Sequence, residues 1–271
     1  MMSSVGVHAI LNGAVVKATD ATVLINDKEI HYGFGVYESL KVLNGVVVYK
    51  EEHLKRLFYS AEGIQLRHNF KIEEIDDSLE KLIKEDNITK ATVTINLIGG
   101  FEARYFITAA QLLTYPSSFY DEGIKVITYF GQRFLPSYKT LSLLLNYLAL
   151  REAGSQGAFE ALLVNQNNDV LEGTRSNFFA IKDRSVYTAA SEYVLEGVTR
   201  DKIIRAINEL DYDIVFEAPK LQKIRDSYFD GFFISSTSMG AMPIRQLDNL
   251  VLKPSFGLCH KIDSLIKKWE S

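Results

Sequence analysis

The sequence predicts an α+β fold, with mixed α-helices and β-strands, arranged in two domains. Apolar alternating runs flank Asn12-Gly13 and Asn44-Gly45, and an Asn-Gly pair between such runs is typical of a β-hairpin. Apolar side chains recur every three or four positions over residues 52–64 and 71–86, which predicts two amphipathic helices. The N-terminal part therefore combines antiparallel strands with helices.

A domain boundary is predicted where turn-forming residues follow two strands. Residues 91–98 and 105–112 have the apolar pattern of strands, and the following segment, residues 114–121, is rich in turn formers. We expect this segment to connect two domains. The predicted organisation is an N-terminal α+β domain at residues 1–113, an interdomain linker at residues 114–122 and a C-terminal α+β domain at residues 123–271 that carries Lys139.

The predicted C-terminal domain has many strands and few helices that could connect parallel strands. This order favours mixed α+β layers over a doubly wound parallel sheet. Gly33-x-Gly35 lacks the third glycine of a dinucleotide-binding fingerprint and continues into a predicted strand, which argues against a Rossmann fold. The elements predicted here are strands at 124–130, 160–164, 177–181, 185–188 and 229–235, a helix following Lys139, and helices near 199–210 and 259–269.

Composition excludes several classes of partner. The 271 residues are 47% hydrophobic and 24% charged, as in ordinary globular chains. The net charge is −4 and no run of five like charges occurs, so neither nucleic acid nor a membrane surface is an expected partner. The single cysteine, Cys259, excludes an internal disulfide, and no signal pattern is found, which predicts a cytoplasmic protein that binds small molecules. No metal site is expected.

Two polar side chains occur in unusual apolar surroundings. Lys139 precedes an almost wholly apolar run; a lysine in this position could bind a ligand, or extend its ammonium into water along apolar neighbours. Glu172 lies at a predicted strand end beside Gly173, where the backbone can approach a flat ligand closely. Both residues are candidates for a site.

Three further segments have the composition of a phosphate site. Gly197 and Thr199 begin a predicted helix, whose free N–H groups can bind a phosphate, although an ordinary Thr N-cap gives the same pattern. Ser235–Ser238 are consecutive hydroxyls after a buried strand. Arg56 could bind phosphate through its fork or be a solvated helix arginine. An amine, a carboxylate, an arginine, a helix N-terminus and hydroxyls together are the set that holds pyridoxal phosphate.

These segments, in this order along the chain, resemble the class IV aminotransferases, the fold-type IV pyridoxal-phosphate enzymes. That family includes branched-chain and D-amino acid aminotransferases and 4-amino-4-deoxychorismate lyase. The resemblance implies two domains with the cofactor between them, and a homodimer whose partner completes the active site. The matching segments are His31–Glu38, His53–Leu57 with Ser60-Ala61, Lys139, Glu172–Asn177, Gly197–Arg200, and Ser235–Thr237 with Pro243.

The resemblance also implies a role for individual residues. Lys139 would bond to the cofactor aldehyde and carry the substrate's α-proton, and Glu172 would pair with the pyridine nitrogen. Tyr37 would face the substrate. The residues implied for the phosphate are Arg56, Val198, Thr199, Ser236 and Thr237, of which Thr237 would also face the substrate.

The expected reaction is a ping-pong transfer of an amino group from an amino acid to a 2-oxo acid, of the branched-chain or the D-amino acid type. Leu143 stands where branched-chain enzymes place a tyrosine. Arg104 matches the arginine of the D-amino acid enzymes' Arg-x-His pair, but Phe106 replaces the histidine, so Arg104 is either a ligand of the substrate carboxylate or a loop arginine in solvent.

Two alternatives remain open. The first is a lyase that releases pyruvate from aminodeoxychorismate, although Glu38 stands where the lyase has threonine, which favours transamination. The second is a non-catalytic binding protein of the same fold, which would be expected to lack Lys139 or Glu172.

Overall fold

The computed structural model describes residues 5–270, and the chain divides into two compact units. Unit 1 comprises Met1–Leu113 together with Tyr138–Leu143, and unit 2 comprises Thr114–Ser137 together with Leu144–Ser271. No helix among the described residues is long and apolar enough to cross a bilayer.

Unit 1 is an antiparallel sheet covered by helices. The strands are paired in the order β2-β1-β6-β5-β3-β4. The hairpins predicted at Asn12-Gly13 and Asn44-Gly45 are confirmed, and all four residues have the positive φ that a tight hairpin turn requires. The elements are β1 (His8–Leu11), β2 (Ala14–Lys17), α1 (Lys28–Tyr32), β3 (Gly35–Leu43), β4 (Val46–Val47), α2 (Lys50–Gly63), α3 (Ile72–Glu85), β5 (Lys90–Ile98) and β6 (Arg104–Ala110).

The core of unit 1 lies between this sheet and the two longer helices. Leu54 and Leu57 of α2 and Leu79 of α3 are almost completely buried against apolar residues of β3 and β5. Their spacing of three and four places them on one face of each helix. Both predicted amphipathic helices are therefore confirmed, with ends that differ from the prediction by one or two residues.

The segment around Lys139 differs from the prediction. A helix was expected directly after Lys139, but α5 begins only at Leu144. Residues 139–141 are instead paired with β3, because the Tyr37 N–H donates to the Lys139 carbonyl at 3.0 Å and the Leu141 N–H donates to the Gly35 carbonyl at 2.9 Å. These backbone bonds group Lys139 with unit 1, whereas the sequence analysis assigned it to the C-terminal domain.

Unit 2 is built on a sheet with both parallel and antiparallel pairs. Its strand order is β12-β11-β10-β13-β14-β7-β8-β9, with β15 added to β14. The elements are α4 (Ser118–Asp121), β7 (Ile124–Phe130), α5 (Leu144–Ser155), β8 (Glu160–Val164), β9 (Val170–Gly173), β10 (Asn177–Lys182), β11 (Ser185–Tyr187), α6 (Val198–Glu209), β12 (Asp213–Val215), α7 (Leu221–Arg225), β13 (Gly231–Ser236), β14 (Gly240–Leu247), β15 (Leu250–Val251) and α8 (Phe256–Glu270).

The sheet of unit 2 closes on itself. β9 pairs with β8 and also with β10, where Glu172 lies opposite Asn177. The strands β10, β13, β14, β7, β8 and β9 therefore form a ring. Strands of both orientations with helices on their faces confirm the predicted α+β class.

The expected linker belongs to the packed part of unit 2. Residues 114–122 include α4, and its Phe119 and Tyr120 pack against the apolar core of this unit. The Tyr120 hydroxyl also donates to the Met239 carbonyl at 2.9 Å. Partly buried aromatic side chains explain why this segment packs onto unit 2 although its composition is typical of turns.

Candidate active site

Lys139 is held in unit 1 by both polar groups of its backbone. Its N–H donates to the Ser60 Oγ at 3.1 Å, and its carbonyl accepts the bond from Tyr37. Its Nζ lies 4.5 Å from the centre of the Tyr37 ring, a cation–π contact. Among the described residues of unit 1, no carboxylate forms an ion pair with this amine. The backbone of Lys139 is thus fixed, while its amine forms no ion pair among the described residues of unit 1.

The alternation of β3 explains why Tyr37 meets Lys139. Successive side chains of a strand point to opposite faces of the sheet. Glu38 is completely buried on the face covered by α2, where it contacts His53 and Arg56. Tyr37 therefore lies on the other face, together with Lys139.

Arg56 forms a charged cluster with Glu38 and His53. Its Nε and Nη2 donate to the two Glu38 carboxylate oxygens at 2.7 and 2.8 Å, and the His53 Nδ1 lies 2.8 Å from Glu38 Oε2. Burial would raise the pKa of Glu38, but the charge and hydrogen bonds of Arg56, together with His53, lower it to about 2. The Arg56 side chain is 11% exposed, so it is not the solvated helix arginine of the alternative interpretation.

Arg104 also has a partner within unit 1. Its Nη2 forms an ion pair with the Asp27 carboxylate, and its side chain is about three-quarters buried. The alternative of a loop arginine extended into solvent is therefore wrong. Any substrate carboxylate that bound Arg104 would share it with Asp27.

In unit 2, Glu172 is a buried carboxylate with two identified donors. Its Oε2 accepts from the Leu195 N–H at 3.1 Å, and its Oε1 lies 3.4 Å from the Arg133 Nη1. Asn177, opposite Glu172 in the sheet, donates through Nδ2 to the Leu195 carbonyl at 2.9 Å. Both polar groups of Leu195 are thus used to attach the loop before α6 to this pair of strands.

At the N-terminus of α6, two of the residues predicted to bind the phosphate have hydroxyls in contact. Gly197 is the N-cap, and Val198 and Thr199 are the first two helical residues, so the alternative of Thr199 as an N-cap is wrong. The Thr199 and Thr237 hydroxyls lie 3.3 Å apart. The first N–H groups of a helix have no intrahelical acceptor and lie at the positive end of its dipole. This end of α6, with two hydroxyls beside it, can bind an anion.

Two side chains that sequence reasoning missed support Glu172. Arg133 contacts it directly, and Glu160, which is completely buried, accepts bonds from the Thr174 N–H at 3.2 Å and the Ser176 hydroxyl at 3.2 Å. Glu160 thereby fixes the turn between β9 and β10. Neither residue had a distinguishing signal, because an arginine in a loop and a glutamate at the start of a strand are ordinary in sequence.

Each unit contains groups of the kinds that suit pyridoxal phosphate. Unit 1 supplies an amine with no ionic partner in that unit, and unit 2 supplies a buried carboxylate and a helix N-terminus with hydroxyls. A Cβ on Gly197 would lie 2.5 Å from the Asn177 Oδ1, so the cap can only be this close to β10 if it is glycine. The Ser235 Oγ, completely buried beside these groups, has no hydrogen-bond partner among the described residues.

Comparison with known proteins identifies the family. The model of the family described as Amino-transferase class IV matches residues 35–247. The chain belongs to this family. The matched range includes every candidate residue discussed above, from Tyr37 to Thr237.

Curated relatives are named D-alanine aminotransferase. That of Staphylococcus epidermidis is 33% identical over 251 residues, which cover 88% of this chain and 88% of the relative. That of Listeria monocytogenes is 33% identical over 256 residues, or 89% of this chain and 88% of the relative. The chain is therefore a pyridoxal-phosphate-dependent aminotransferase, and the predicted preference for transamination over lyase chemistry is confirmed.

Solved structures show the same fold. The branched-chain amino acid aminotransferase of Escherichia coli superposes with a TM-score of 0.90 at 22% identity and covers 98% of this chain and 95% of its own. A hypothetical aminotransferase from Mycobacterium tuberculosis, solved with α-ketoglutarate and pyridoxamine phosphate, gives a TM-score of 0.83 at 21% identity, with 96% and 98% covered. The predicted fold-type IV architecture is thus confirmed.

Proposed function

We propose that this protein transfers the amino group of D-amino acids, with D-alanine as the type substrate, to 2-oxo acids by a ping-pong mechanism. The observation that carries the proposal is the 33% identity to D-alanine aminotransferases over 88% of both chains. The branched-chain enzymes share 22% identity or less, which supports a common fold and no particular substrate.

In unit 1, Lys139 is proposed as the catalytic residue. Pyridoxal phosphate supplies an aldehyde that bonds to amines and a ring that withdraws electrons from the bonded amino acid. The Lys139 Nζ takes the α-proton of the amino donor and returns a proton in the second half-reaction. Ser60 and the Tyr37 N–H support this role because they fix the backbone from which the amine extends. Arg56 contributes a positive charge to phosphate binding, and Glu38 fixes its orientation.

In unit 2, a second set of residues is proposed to bind the same cofactor. Glu172 holds a proton on the pyridine nitrogen, and its buried, hydrogen-bonded carboxylate supports this role. The phosphate accepts bonds from N–H groups at the start of α6 and from neighbouring hydroxyls. The residues proposed for the phosphate in this unit are Val198, Thr199, Ser236 and Thr237.

Substrate contacts are proposed for three residues. Tyr37 faces the amino donor, because its ring lies beside the Lys139 amine. Thr237, which directly follows β13, contacts the substrate. Arg104 binds the substrate carboxylate in competition with Asp27.

The test is the purified protein assayed with D- and L-amino acids and two acceptors, 2-oxoglutarate and pyruvate, by keto-acid formation. We expect D-alanine to react with 2-oxoglutarate, and L-leucine and L-valine to react much more slowly. A preference for the L-isomers would contradict the proposed substrate class, and release of pyruvate from aminodeoxychorismate without an acceptor would indicate a lyase.

Lys139→Ala tests the catalytic assignment. We expect transamination to be lost, together with the visible absorption that the bound cofactor gains from its bond to lysine. Lys55→Ala is a suitable control because Lys55 is an exposed lysine of α2. A Lys139→Ala protein with normal colour and turnover would refute the role of Lys139.

The proposed assembly is a homodimer in the cytoplasm. Large apolar side chains such as Ile25, Phe101 and Phe134 are exposed in the single chain, and apolar surface of this kind is typical of interfaces. The lone cysteine is buried and free, as is common in the cytoplasm. Sedimentation equilibrium should give twice the chain mass, and cell fractionation should recover the protein in the cytoplasmic fraction. A monomer at micromolar concentration would contradict the dimer.

A further inference from the structure

Arg200, the third residue of α6, is a buried cation for which no ion pair is found among residues 5–270. The residue is 2% exposed, and no carboxylate in the described part of unit 2 lies within 4 Å of its guanidinium. Its Nη2 donates to the Ala189 carbonyl at 2.8 Å and its Nη1 lies 3.4 Å from the Ser191 Oγ, while the Nε has no hydrogen-bond partner among the described residues. Arginine is almost never buried without a counter-charge.

The position of Arg200 adds to this cost. A Cβ on Gly197 would lie 3.3 Å from the Arg200 Cβ, so the arginine stem packs against the N-cap. The two hydrogen-bond acceptors, Ala189 and Ser191, precede the helix in the chain. Arg200 belongs to the first turn of α6, and helical side chains tilt toward the helix N-terminus, so the guanidinium lies near the positive end of the helix dipole, where a cation is unfavourable.

The surrounding charges do not balance this cation. Asp201, Glu196 and Glu172 attract it from longer range, but burial is the larger effect and lowers the pKa of Arg200. The face of Phe216 lies 5.5 Å from the guanidinium carbon and supplies a further weak attraction. What would balance both the guanidinium and the helix end is an anion of more than one charge at the α6 N-terminus.

We propose that Arg200 is a positioning residue whose buried charge is balanced by the phosphate of the cofactor. This inference rests on the proposed function, in which the N–H groups of Val198 and Thr199 bind that phosphate. Arg200 acts in two ways: its bonds to Ala189 and Ser191 hold the loop that leads into α6, and its charge attracts the dianion without touching it. The protein without cofactor consequently retains an unbalanced cation.

The main test uses Arg200→Met, which keeps much of the apolar stem and removes the charge. We expect the cofactor-free variant to melt no lower than the cofactor-free wild type, because an unbalanced buried charge is removed. Inorganic phosphate, measured through its effect on the melting temperature, should bind the variant about tenfold more weakly. Pyridoxal phosphate should also bind about tenfold more weakly, whereas pyridoxal, which has no phosphate, should bind equally well.

Two further variants separate charge from packing. Arg200→Lys keeps the positive charge but loses the hydrogen-bond geometry of the guanidinium. It should keep most of the preference for pyridoxal phosphate over pyridoxal. Arg205→Met removes an exposed arginine of the same helix, which stacks on Trp269, and should change neither phosphate binding nor that preference.

Each contrary result has a definite meaning. If Arg200→Met melts well below wild type or fails to fold, Arg200 has only a structural role. The same conclusion follows if the variant loses equal affinity for pyridoxal and for pyridoxal phosphate. Loss of the preference in Arg200→Lys would also overturn the charge-based role. If phosphate fails to stabilise even the wild type, the phosphate assignment to α6 is itself wrong, which is a failure of the proposed function.

Discussion

Buried charges are arranged differently in the two units. In unit 1, the buried Glu38 lies 2.7 Å from the Arg56 guanidinium, and burial is outweighed, so that its pKa falls to about 2. In unit 2, Asp263 of α8 accepts a bond from the Ala241 N–H at 2.7 Å. Burial raises the pKa of Asp263 to about 6, against the smaller opposing effects of Ala241, Lys267 and His260.

Burial raises the pKa of both carboxyl groups, and the difference shows that only a charged partner in direct contact reverses this effect. A carboxylate beside a guanidinium is stabilised in its charged form, whereas one that meets only a backbone N–H is not. Arg200 is the cationic counterpart of Asp263 in unit 2. It too is buried, and no opposite charge among the described residues contacts it. Glu38 of unit 1 is thus balanced by a neighbouring cation, whereas Asp263 and Arg200 of unit 2 have no opposite charge in direct contact among the described residues.

The largest expected effect is that of Glu38→Gln. Glu38→Gln removes the carboxylate charge that faces the buried Arg56, so the free energy of unfolding of the cofactor-free protein at pH 7 should fall by about 3–5 kcal/mol. Because the folded pKa lies below the unfolded value of 4.5, the stabilisation is present above pH 4.5 and is lost as the pH falls through about 2. Denaturant unfolding at several pH values measures this, with the exposed Glu51→Gln as control.

A smaller effect of opposite sign is expected for Asp263→Asn. The folded pKa of Asp263 is raised, so its contribution to stability is present below the unfolded value of 3.8 and is lost as the pH rises through about 6. The amide cannot ionise, and the variant should be more stable than wild type at pH 8 by roughly 1–3 kcal/mol. The two proteins should become similar near pH 4.

The comparison between the units fails if Asp263→Asn is destabilised at pH 8. The same denaturant titration decides this, with the exposed Asp226→Asn as the matched substitution. A destabilised variant would mean that Asp263 is held in its charged form, as Glu38 is.

The smallest expected effect is that of Ser60→Ala, which removes a neutral hydrogen bond of unit 1. The Lys139 N–H would lose its acceptor at a cost of about 1–2 kcal/mol. Hydrogen exchange at the Lys139 amide should become faster, and turnover should slow without loss of the cofactor's colour. Ser78→Ala changes another buried hydroxyl of the same unit and should leave exchange at Lys139 unchanged; equal acceleration in both variants would show general loosening.

Local signals were enough for much of the fold. The Asn-Gly turns and the three-and-four spacing of α2 and α3 depend on residues close in sequence, and these elements were predicted nearly to the residue. β14 was missed because Pro243 lies within it. A proline is normally excluded from a central strand, but β14 contains a register irregularity just after this residue.

For the candidate site, the sequence singled out residue types but not the contacts that those residues make. Lys139, Glu172 and Thr199 stood out as unusual residue types in apolar or turn-rich segments. The ion pairs of the two units could not be predicted because their members are distant in sequence. Glu38 and Arg56 are 18 residues apart, and Glu172 and Arg133 are 39 residues apart. The spacing of residues along the chain does not predict which of several arginines will contact a given carboxylate.

The return of Tyr138–Leu143 to unit 1 means that the chain passes between the units three times. No single cut therefore yields two complete pieces. A fragment ending at residue 113 would leave the Tyr37 N–H and the Gly35 carbonyl without the backbone groups that bind them in the whole protein. To express the first half alone, or to exchange halves between relatives, residues 138–143 would have to be kept with the first half.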